Sequence, residues 1–129
     1  MRTVLVVEDD RTIQDVMSEL LHEQGFKTVL TAGNPDEAIA LATTNALDLV
    51  VLDYRLGGHT GVDVAERLRA LPGFDASVLV TTALPKREAE KACAAADACE
   101  CLIKPFDITA FLDAVQTCLG ARLSPSVFI

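Results

Sequence analysis

Polar residues that could hold a cation or a phosphoryl group stand directly after apolar runs of this sequence. They are Glu8, Asp9, Asp53, Thr82 and Lys104. Such runs are typical of strands in a parallel sheet covered on both faces, and ligands of these sheets bind at the carboxyl ends of the strands. The pattern therefore predicts one site with three carboxylates, a hydroxyl and an ammonium group. That set suits a divalent cation beside a phosphoryl group.

The apolar runs alternate with segments of helical periodicity, so strand and helix are expected to alternate along the chain. The expected strands are 3–7, 27–32, 49–52, 78–80 and 101–103. The expected helices begin after Asp10, at Asn34-Pro35, after the loop 57–61, at Lys86 and at Asp107. Right-handed crossovers would place these helices on both faces of a five-stranded parallel sheet, a (βα)₅ architecture.

Residues three and four apart define the predicted inner faces of the first and last helices. Those of the first helix are Ile13, Val16, Met17, Leu20 and Leu21. Those of the last helix are Ile108, Phe111, Leu112, Val115 and Leu119. Both faces are aliphatic or aromatic, so we expect both helices to pack against the sheet.

The chain has 129 residues and a formal net charge of −8, as expected for one acidic domain. Because binding to nucleic-acid phosphates needs clustered Lys and Arg, this domain is not expected to contact nucleic acid. No apolar stretch reaches the roughly 18 residues of a membrane span. The N-terminal residues lead directly into a strand without a signal-peptide pattern. We therefore expect a cytoplasmic location and no membrane contact.

The sequence contains four cysteines, Cys93, Cys99, Cys101 and Cys118. None of the spacings is the close C-x-x-C arrangement of a zinc or redox site. We therefore expect buried, reduced thiols that act as small apolar residues, with a metal or redox role as the alternative. Cys99 and Cys101 are expected to share one face of a strand, since strand side chains alternate.

Taken together and in order, Glu8-Asp9, Asp53, Thr82-Ala83 and Lys104-Pro105 resemble the receiver domain of two-component response regulators. The resemblance spans residues 3–120 and leaves 121–129 as a C-terminal tail or the start of a linker. It implies a doubly wound, flavodoxin-like (βα)₅ sandwich with strand order 2-1-3-4-5.

The resemblance implies that Asp53 is the phosphoacceptor, because a carboxylate can attack phosphorus and form an acyl phosphate. The donor would be a phosphohistidine on a sensor histidine kinase or a histidine phosphotransfer protein. Such a domain is a signalling module rather than a metabolic enzyme, and it catalyses only its own phosphorylation and dephosphorylation. A homodimer that forms on phosphorylation is a further partner that the family suggests.

The implied cofactor is Mg²⁺, which favours oxygen ligands and keeps several waters. Asp9 and Asp53 would bind it directly, the backbone carbonyl of Arg55 would complete the protein ligands, and Glu8 would act through a water. Asp10 is expected instead to cap the following helix.

The remaining site residues would bind the phosphoryl oxygens. Lys104 would pair first with Asp53 and then with the phosphoryl group, and a cis peptide bond before Pro105 would direct the lysine into the site. The Thr82 hydroxyl and the backbone N–H of Ala83 would supply two more donors, which is electrostatic stabilisation of the kind that dominates phosphoryl transfer.

The sequence departs from the family pattern at several positions. Cys101 stands at the switch position, where the family has an aromatic residue, so the route from site to output is altered. Gly57 replaces a common proline in the loop after Asp53, and His59 is expected to be a solvated residue of that loop. Asp97 replaces a common glycine, and Asp tolerates the left-handed conformation that such a turn needs.

Three other functions remain as alternatives. The first is a pseudo-receiver that binds partners without being phosphorylated, which the absence of the switch aromatic favours. The second is a phosphohydrolase with an Asp nucleophile, but Arg55 occupies the position where such enzymes carry a general acid. The third, a nucleotide or flavin binder, lacks a glycine-rich loop after the first strand.

Overall fold

The computed structural model describes residues 2–120, so the predicted tail at 121–129 lies outside the described residues. The strands are β1 (Thr3–Val7), β2 (Thr28–Ala32), β3 (Leu49–Asp53), β4 (Arg55–Leu56), β5 (His59–Thr60), β6 (Ser77–Thr82) and β7 (Glu100–Ile103). The helices are α1 (Arg11–Glu23), α2 (Pro35–Thr44), α3 (Gly61–Arg69), α4 (Lys86–Ala95) and α5 (Ile108–Gly120).

Five strands form one parallel sheet in the order β2-β1-β3-β6-β7. This confirms the predicted doubly wound order 2-1-3-4-5, in which the fourth and fifth strands are β6 and β7. Asp53 pairs in register with Thr81, and Thr82 pairs with Ile103. The strands that end in polar residues therefore finish together at one edge of the sheet.

The hydrophobic core lies in two layers, one on each face of the sheet. Alternate residues of β3 divide between the layers, with Val50 and Leu52 facing α2, α3 and α4. Leu49 and Val51 face α1 and α5. This division follows from the strand period of two, and because both faces are covered the central strands are apolar throughout.

Two residues predicted on inner helix faces are exposed instead. Val16 of α1 is 50% exposed and Ile108 of α5 is 56% exposed, whereas the polar Gln14 is buried. The stripe of α1 that contacts the sheet runs through Gln14, Met17 and Leu21, and Val16 lies about 100° round the helix from Met17. The prediction was wrong because apolar spacing alone fitted a wider stripe than the sheet covers.

The loop predicted after Asp53 contains a short hairpin. Residues of β4 and β5 pair antiparallel across Gly57-Gly58. Gly57 has a φ of 65°, the positive value that tight hairpin turns need and that glycine adopts without strain. Asp97 also has a positive φ, 53°, so aspartate does adopt the expected left-handed turn before β7.

The expectation of reduced cysteines is wrong in this structure. Cys93 is bonded to Cys101, and Cys99 is bonded to Cys118. Cys99 and Cys101 also lie on opposite faces of the sheet, since Cys99 packs in the α1 and α5 layer and Cys101 in the other. Regular strand structure begins only at Glu100, so the alternation assumed for Cys99 does not extend to it.

Candidate functional site

Three carboxylates meet where β1 and β3 end. Glu8 is 2% exposed and Asp53 is 7% exposed, while Asp9 is open to solvent. One oxygen from each of the three lies within 4.8 Å of the others. They converge because β1 and β3 are neighbours in register and because Glu8 N still donates to Ala32 O at 3.0 Å, which continues the sheet beyond β1.

A lysine that directly follows β7 reaches two of these carboxylates. Lys104 Nζ lies 3.2 Å from Asp53 Oδ1 and 3.7 Å from Glu8 Oε2. Its backbone N–H donates to Thr82 O at 2.7 Å, and the peptide bond to Pro105 is cis. One ammonium group therefore faces two buried carboxylates.

The carboxyl group of Glu8 has a strongly perturbed acidity. Burial raises its pKa from 4.5 to about 7, and the charge and hydrogen bonding of Asp53 act in the same direction. The backbone N–H of Asp10, which donates to Glu8 Oε1 at 3.2 Å, and the charge of Lys104 oppose the rise. Glu8 Oε2 is buried and has no hydrogen-bond partner among the described residues. Such an oxygen is costly to keep ionised unless a cation or a proton compensates it.

Two residues outside the sequence predictions support the acidic loop. Gln14 Nε2, buried on α1, donates to Glu8 O at 3.0 Å and to Ala32 O at 3.3 Å. Gly61 begins α3 so close to β3 that an added Cβ would lie 3.0 Å from Asp53 O and 3.1 Å from Tyr54 Cα. A polar residue on the inner stripe of α1 was the available sign for Gln14. For Gly61 the sequence offered only a glycine in a loop.

Asp10 caps α1, as expected, and does not join the acidic cluster. Its Oδ1 accepts from Thr12 N at 2.9 Å and from Ile13 N at 3.1 Å. Of the three consecutive acids that follow β1, two belong to the carboxylate cluster. The third, Asp10, lies at the cavity wall and satisfies backbone donors at the helix start.

The site forms a cavity of about 290 Å³. Its lining residues are Glu8, Asp9, Asp10, Ile13, Asp53, Tyr54, Arg55, Ala83 and Lys104. Thr82 and His59 are not among these lining residues. Thr82 is 1% exposed, and its Oγ1 accepts a hydrogen bond from Leu84 N at 3.0 Å. His59 is exposed on β5. The structure thus brings together the predicted carboxylates, Arg55, Ala83 and Lys104, whereas the Thr82 hydroxyl is buried and does not line the cavity.

The sequence profile of the family described as "Response regulator receiver domain" matches residues 4–116, most of the chain. The chain belongs to this receiver domain family. Members are signalling phosphoacceptor modules of two-component systems, and they interact with histidine kinases or phosphotransfer proteins. The resemblance drawn from the strand-end residues is therefore confirmed at the level of the family.

Similar proteins support the same assignment. The chain is 32% identical to Transcriptional regulatory protein PdtaR of Mycobacterium tuberculosis over 89% of this chain and 55% of that protein. It is 28% identical to Sporulation initiation phosphotransferase F of Bacillus subtilis over 92% of this chain and 94% of that protein. The chain therefore spans about half the length of PdtaR.

A solved structure has the same fold. Response regulator protein TrrA of Thermotoga maritima, in complex with Mg²⁺-BeF, is 30% identical with a TM-score of 0.78, over 92% of this chain and all of that one.

Among residues 2–120 of the present chain, no helix has the length and apolar character needed to cross a membrane.

Proposed function

We propose that this domain accepts a phosphoryl group on Asp53 from a phosphohistidine, in a reaction that depends on Mg²⁺. The observation that carries the proposal is the contact of Lys104 Nζ with Asp53 Oδ1 at 3.2 Å, in a cavity that also holds Glu8 and Asp9. An aspartate that only capped a helix or formed a turn would need neither a lysine partner nor two more acids.

The residues fit a magnesium ion. Three carboxylate oxygens lie within 4.8 Å of one another, and Glu8 Oε2 lacks a hydrogen-bond partner among the described residues. Asp9 and Asp53 would bind the ion directly, with the backbone carbonyl of Arg55, and Glu8 would act through a water. When bound, Mg²⁺ supplies positive charge between the carboxylates and the phosphoryl oxygens, where like charges otherwise repel.

The residues of the chain divide the reaction between attack and stabilisation. An Asp53 carboxylate oxygen attacks phosphorus, the bond between phosphorus and the donor imidazole breaks, and the imidazole leaves. The Lys104 ammonium then exchanges its carboxylate partner for a phosphoryl oxygen, a change that a compact point charge permits. Ala83 lines the cavity, and its backbone N–H would supply a further donor.

Thr82 would complete the set of donors after a small movement. Its hydroxyl accepts from Leu84 N and still has its own proton to donate, since a hydroxyl can do both at once. Because Thr82 is buried and does not line the cavity, we expect the segment 82–84 to shift before that proton reaches a phosphoryl oxygen. This shift would connect phosphorylation with α4, which follows the segment.

The wider setting of the domain belongs to the same proposal. We place the receiver domain at 3–120, in the cytoplasm, with a sensor histidine kinase or histidine phosphotransfer protein as donor. Its catalysis would extend only to its own phosphorylation and dephosphorylation. The net charge of −8 supports the absence of direct nucleic-acid contact. Association of two phosphorylated copies is a further expectation.

The test is phosphorylation by acetyl phosphate in the presence of Mg²⁺, followed by the intact protein mass. The wild-type chain should gain one phosphoryl group, and Asp53→Asn should gain none, because its amide cannot form the acyl phosphate. Asp113→Asn is the matched control, since Asp113 is an exposed carboxylate on α5 that does not line the cavity, and it should be phosphorylated normally. An unmodified wild-type chain would favour the pseudo-receiver instead, and a modified Asp53→Asn variant would move the acceptor elsewhere.

A further inference from the structure

The two disulfides hold helices to opposite faces of one edge strand. Cys93 of α4 is bonded to Cys101 within β7, and Cys99, directly before β7, is bonded to Cys118 of α5. The Cα atoms are 5.9 Å apart in the first pair and 5.3 Å apart in the second, which is within the usual range for disulfides. The backbone is therefore already arranged for both bonds.

The Cys93–Cys101 bond joins two segments that lead away from the candidate site. Cys101 stands three residues before Lys104, whose backbone is bound to Thr82 at the end of β6. Cys93 lies in α4, the helix that follows Thr82. A bond between these cysteines is therefore a covalent cross-link within the β6–α4–β7 unit, and it joins the helix to the second of the two strands.

The two helices differ in what else holds them. The buried residues of α4 are Ala89, Ala92 and Cys93, which bury little apolar area. The buried residues of α5 are Phe111, Ala114, Val115, Cys118 and Leu119, which bury much more. Because stabilisation by burial grows with apolar area, α5 remains docked by packing, whereas α4 depends on its covalent link.

We propose that Cys93 and Cys101 form a reversible disulfide that determines how firmly α4 is held against β7. In the oxidised form the bond fixes the helix to the strand. In the oxidised structure Cys101 Sγ lies 3.5 Å from Ala89 O. In the reduced form Cys101 regains a thiol proton, which offers the helix only a weak S–H donor in place of the covalent bond. The Cys99–Cys118 bond serves structure and does not control α4.

The reduction is a thiol–disulfide exchange with a low-molecular-weight thiol such as glutathione. A glutathione thiolate attacks Cys101 Sγ, the bond to Cys93 breaks, and a second glutathione thiol releases Cys101 from the mixed disulfide. Two electrons and two protons pass to the cysteines, and oxidised glutathione is formed. Cys101 is the point of attack because it is partly exposed, while Cys93 is 6% exposed. In a reducing compartment disulfides are usually transient, which agrees with a regulatory bond.

The test compares the whole chain in buffers of reduced and of oxidised glutathione. Alkylation of free thiols followed by peptide mass analysis gives the state of each pair, and amide hydrogen exchange gives the protection of each element. In the wild type, opening of Cys93–Cys101 should speed exchange in α4 by about tenfold or more, while α5 changes by less than about twofold. Protection of β1 and β3 reports that the fold persists in both buffers.

Two matched double variants assign the effect to one bond. Cys93→Ser with Cys101→Ser should show fast α4 exchange in both buffers. Cys99→Ser with Cys118→Ser should keep the redox response of α4. The wild-type comparison also stands by itself if a double variant fails to fold, because α5 is an internal control.

The proposal is overturned if α4 exchange is the same whether the bond is open or closed. It is also overturned if the bond never forms in oxidised glutathione, resists reduced glutathione, or if the response disappears with the Cys99–Cys118 pair. No phosphoryl donor is used, so these outcomes are independent of phosphorylation at Asp53. One consequence rests on the proposed function: because α4 follows segment 82–84, the oxidised form should restrain the shift of that segment on phosphorylation.

Discussion

At the amino-terminal edge of the sheet Asp48 Oδ2 accepts a hydrogen bond from Thr3 N at 2.8 Å, whereas at the carboxyl edge Glu8 Oε2 is buried without such a partner. The amino-terminal edge also receives the Arg69 side chain, whose Nη2 donates to Ala96 O at 2.7 Å and to Asp97 O at 2.8 Å. Polar groups at this edge are therefore bound to the backbone. They stabilise the turns that connect helices to strands.

The carboxyl edge instead concentrates charge that the protein itself compensates only in part. One lysine faces two buried carboxylates, and the pKa of Glu8 is raised to about 7 by burial and by Asp53. Both edges belong to the same sheet, so the fold does not require such an arrangement. The difference indicates that the carboxyl edge gives up stability, as expected if it forms the cation and phosphoryl site that we propose.

The largest expected effect is the pH dependence of stability that Glu8 contributes. Because its folded pKa of about 7 lies above the usual 4.5, the protonated form is favoured in the folded state. The stability that protonated Glu8 contributes to the folded state is fully present below pH of about 4.5 and is lost as pH rises through about 7. Without metal, Glu8→Gln should therefore be more stable than wild type at pH 8, by on the order of 2 kcal/mol, and similar at pH 5. Urea unfolding at the two pH values measures the difference.

The matched control at the amino-terminal edge is Asp48→Asn, which should not raise the free energy of unfolding at pH 8. If both variants give the same pH profile, Glu8 is not the group responsible. Mg²⁺ should also reduce the gap between wild type and Glu8→Gln at pH 8, since the cation compensates the charge that the glutamine removes.

The next largest effect is expected on the affinity for Mg²⁺. Asp9→Ala should weaken Mg²⁺ binding by at least about tenfold, because the carboxylate that we propose as a direct ligand is removed. Asp10→Ala is the neighbouring control, and it should cost about 1 kcal/mol of stability through loss of the α1 cap while leaving metal affinity nearly unchanged. Titration with Mg²⁺ followed by calorimetry ranks the two variants. The reverse ranking would show that the acid pair has been misassigned.

The smallest effect is expected at the amino-terminal edge. Arg69→Ala removes two hydrogen bonds to the turn before β7 and should lower the free energy of unfolding by about 1 kcal/mol, since the side chain is exposed. Mg²⁺ affinity should stay within about twofold of wild type. Arg67→Ala is a control on the same helix, where an exposed pair with Asp36 should contribute less. A large loss of Mg²⁺ affinity in Arg69→Ala would mean that the two edges are coupled.

Much of the fold was predictable because local signals and the global arrangement agree. Asn34 Oδ1 accepts from Glu37 N at 2.9 Å at the start of α2, as its sequence pattern indicated. Four of the five strands of the parallel sheet were indicated by continuous apolar runs, and the end of each of these four marked a polar residue of the candidate site. Asp53 and Lys104 are 51 residues apart in sequence, yet the order of strands brings them into contact.

Other features depended on neighbours that no local pattern describes. The exposure of Val16 follows from the width of sheet that α1 covers, and the opposite faces of Cys99 and Cys101 follow from where β7 begins. The close approach of Gly61 to the Asp53 backbone is likewise a matter of packing.

The amino-acid sequence by itself determined the alternating strands and helices, the family, and the kinds of residue at the strand ends, because these depend on periodicity and on residue type. Tertiary structure decided the raised pKa of Glu8, the burial of Gln14 beneath the acidic loop and the pairing of the cysteines. These properties arise from burial and from distances between residues far apart in the chain, which exist only once the sheet and its helices are packed.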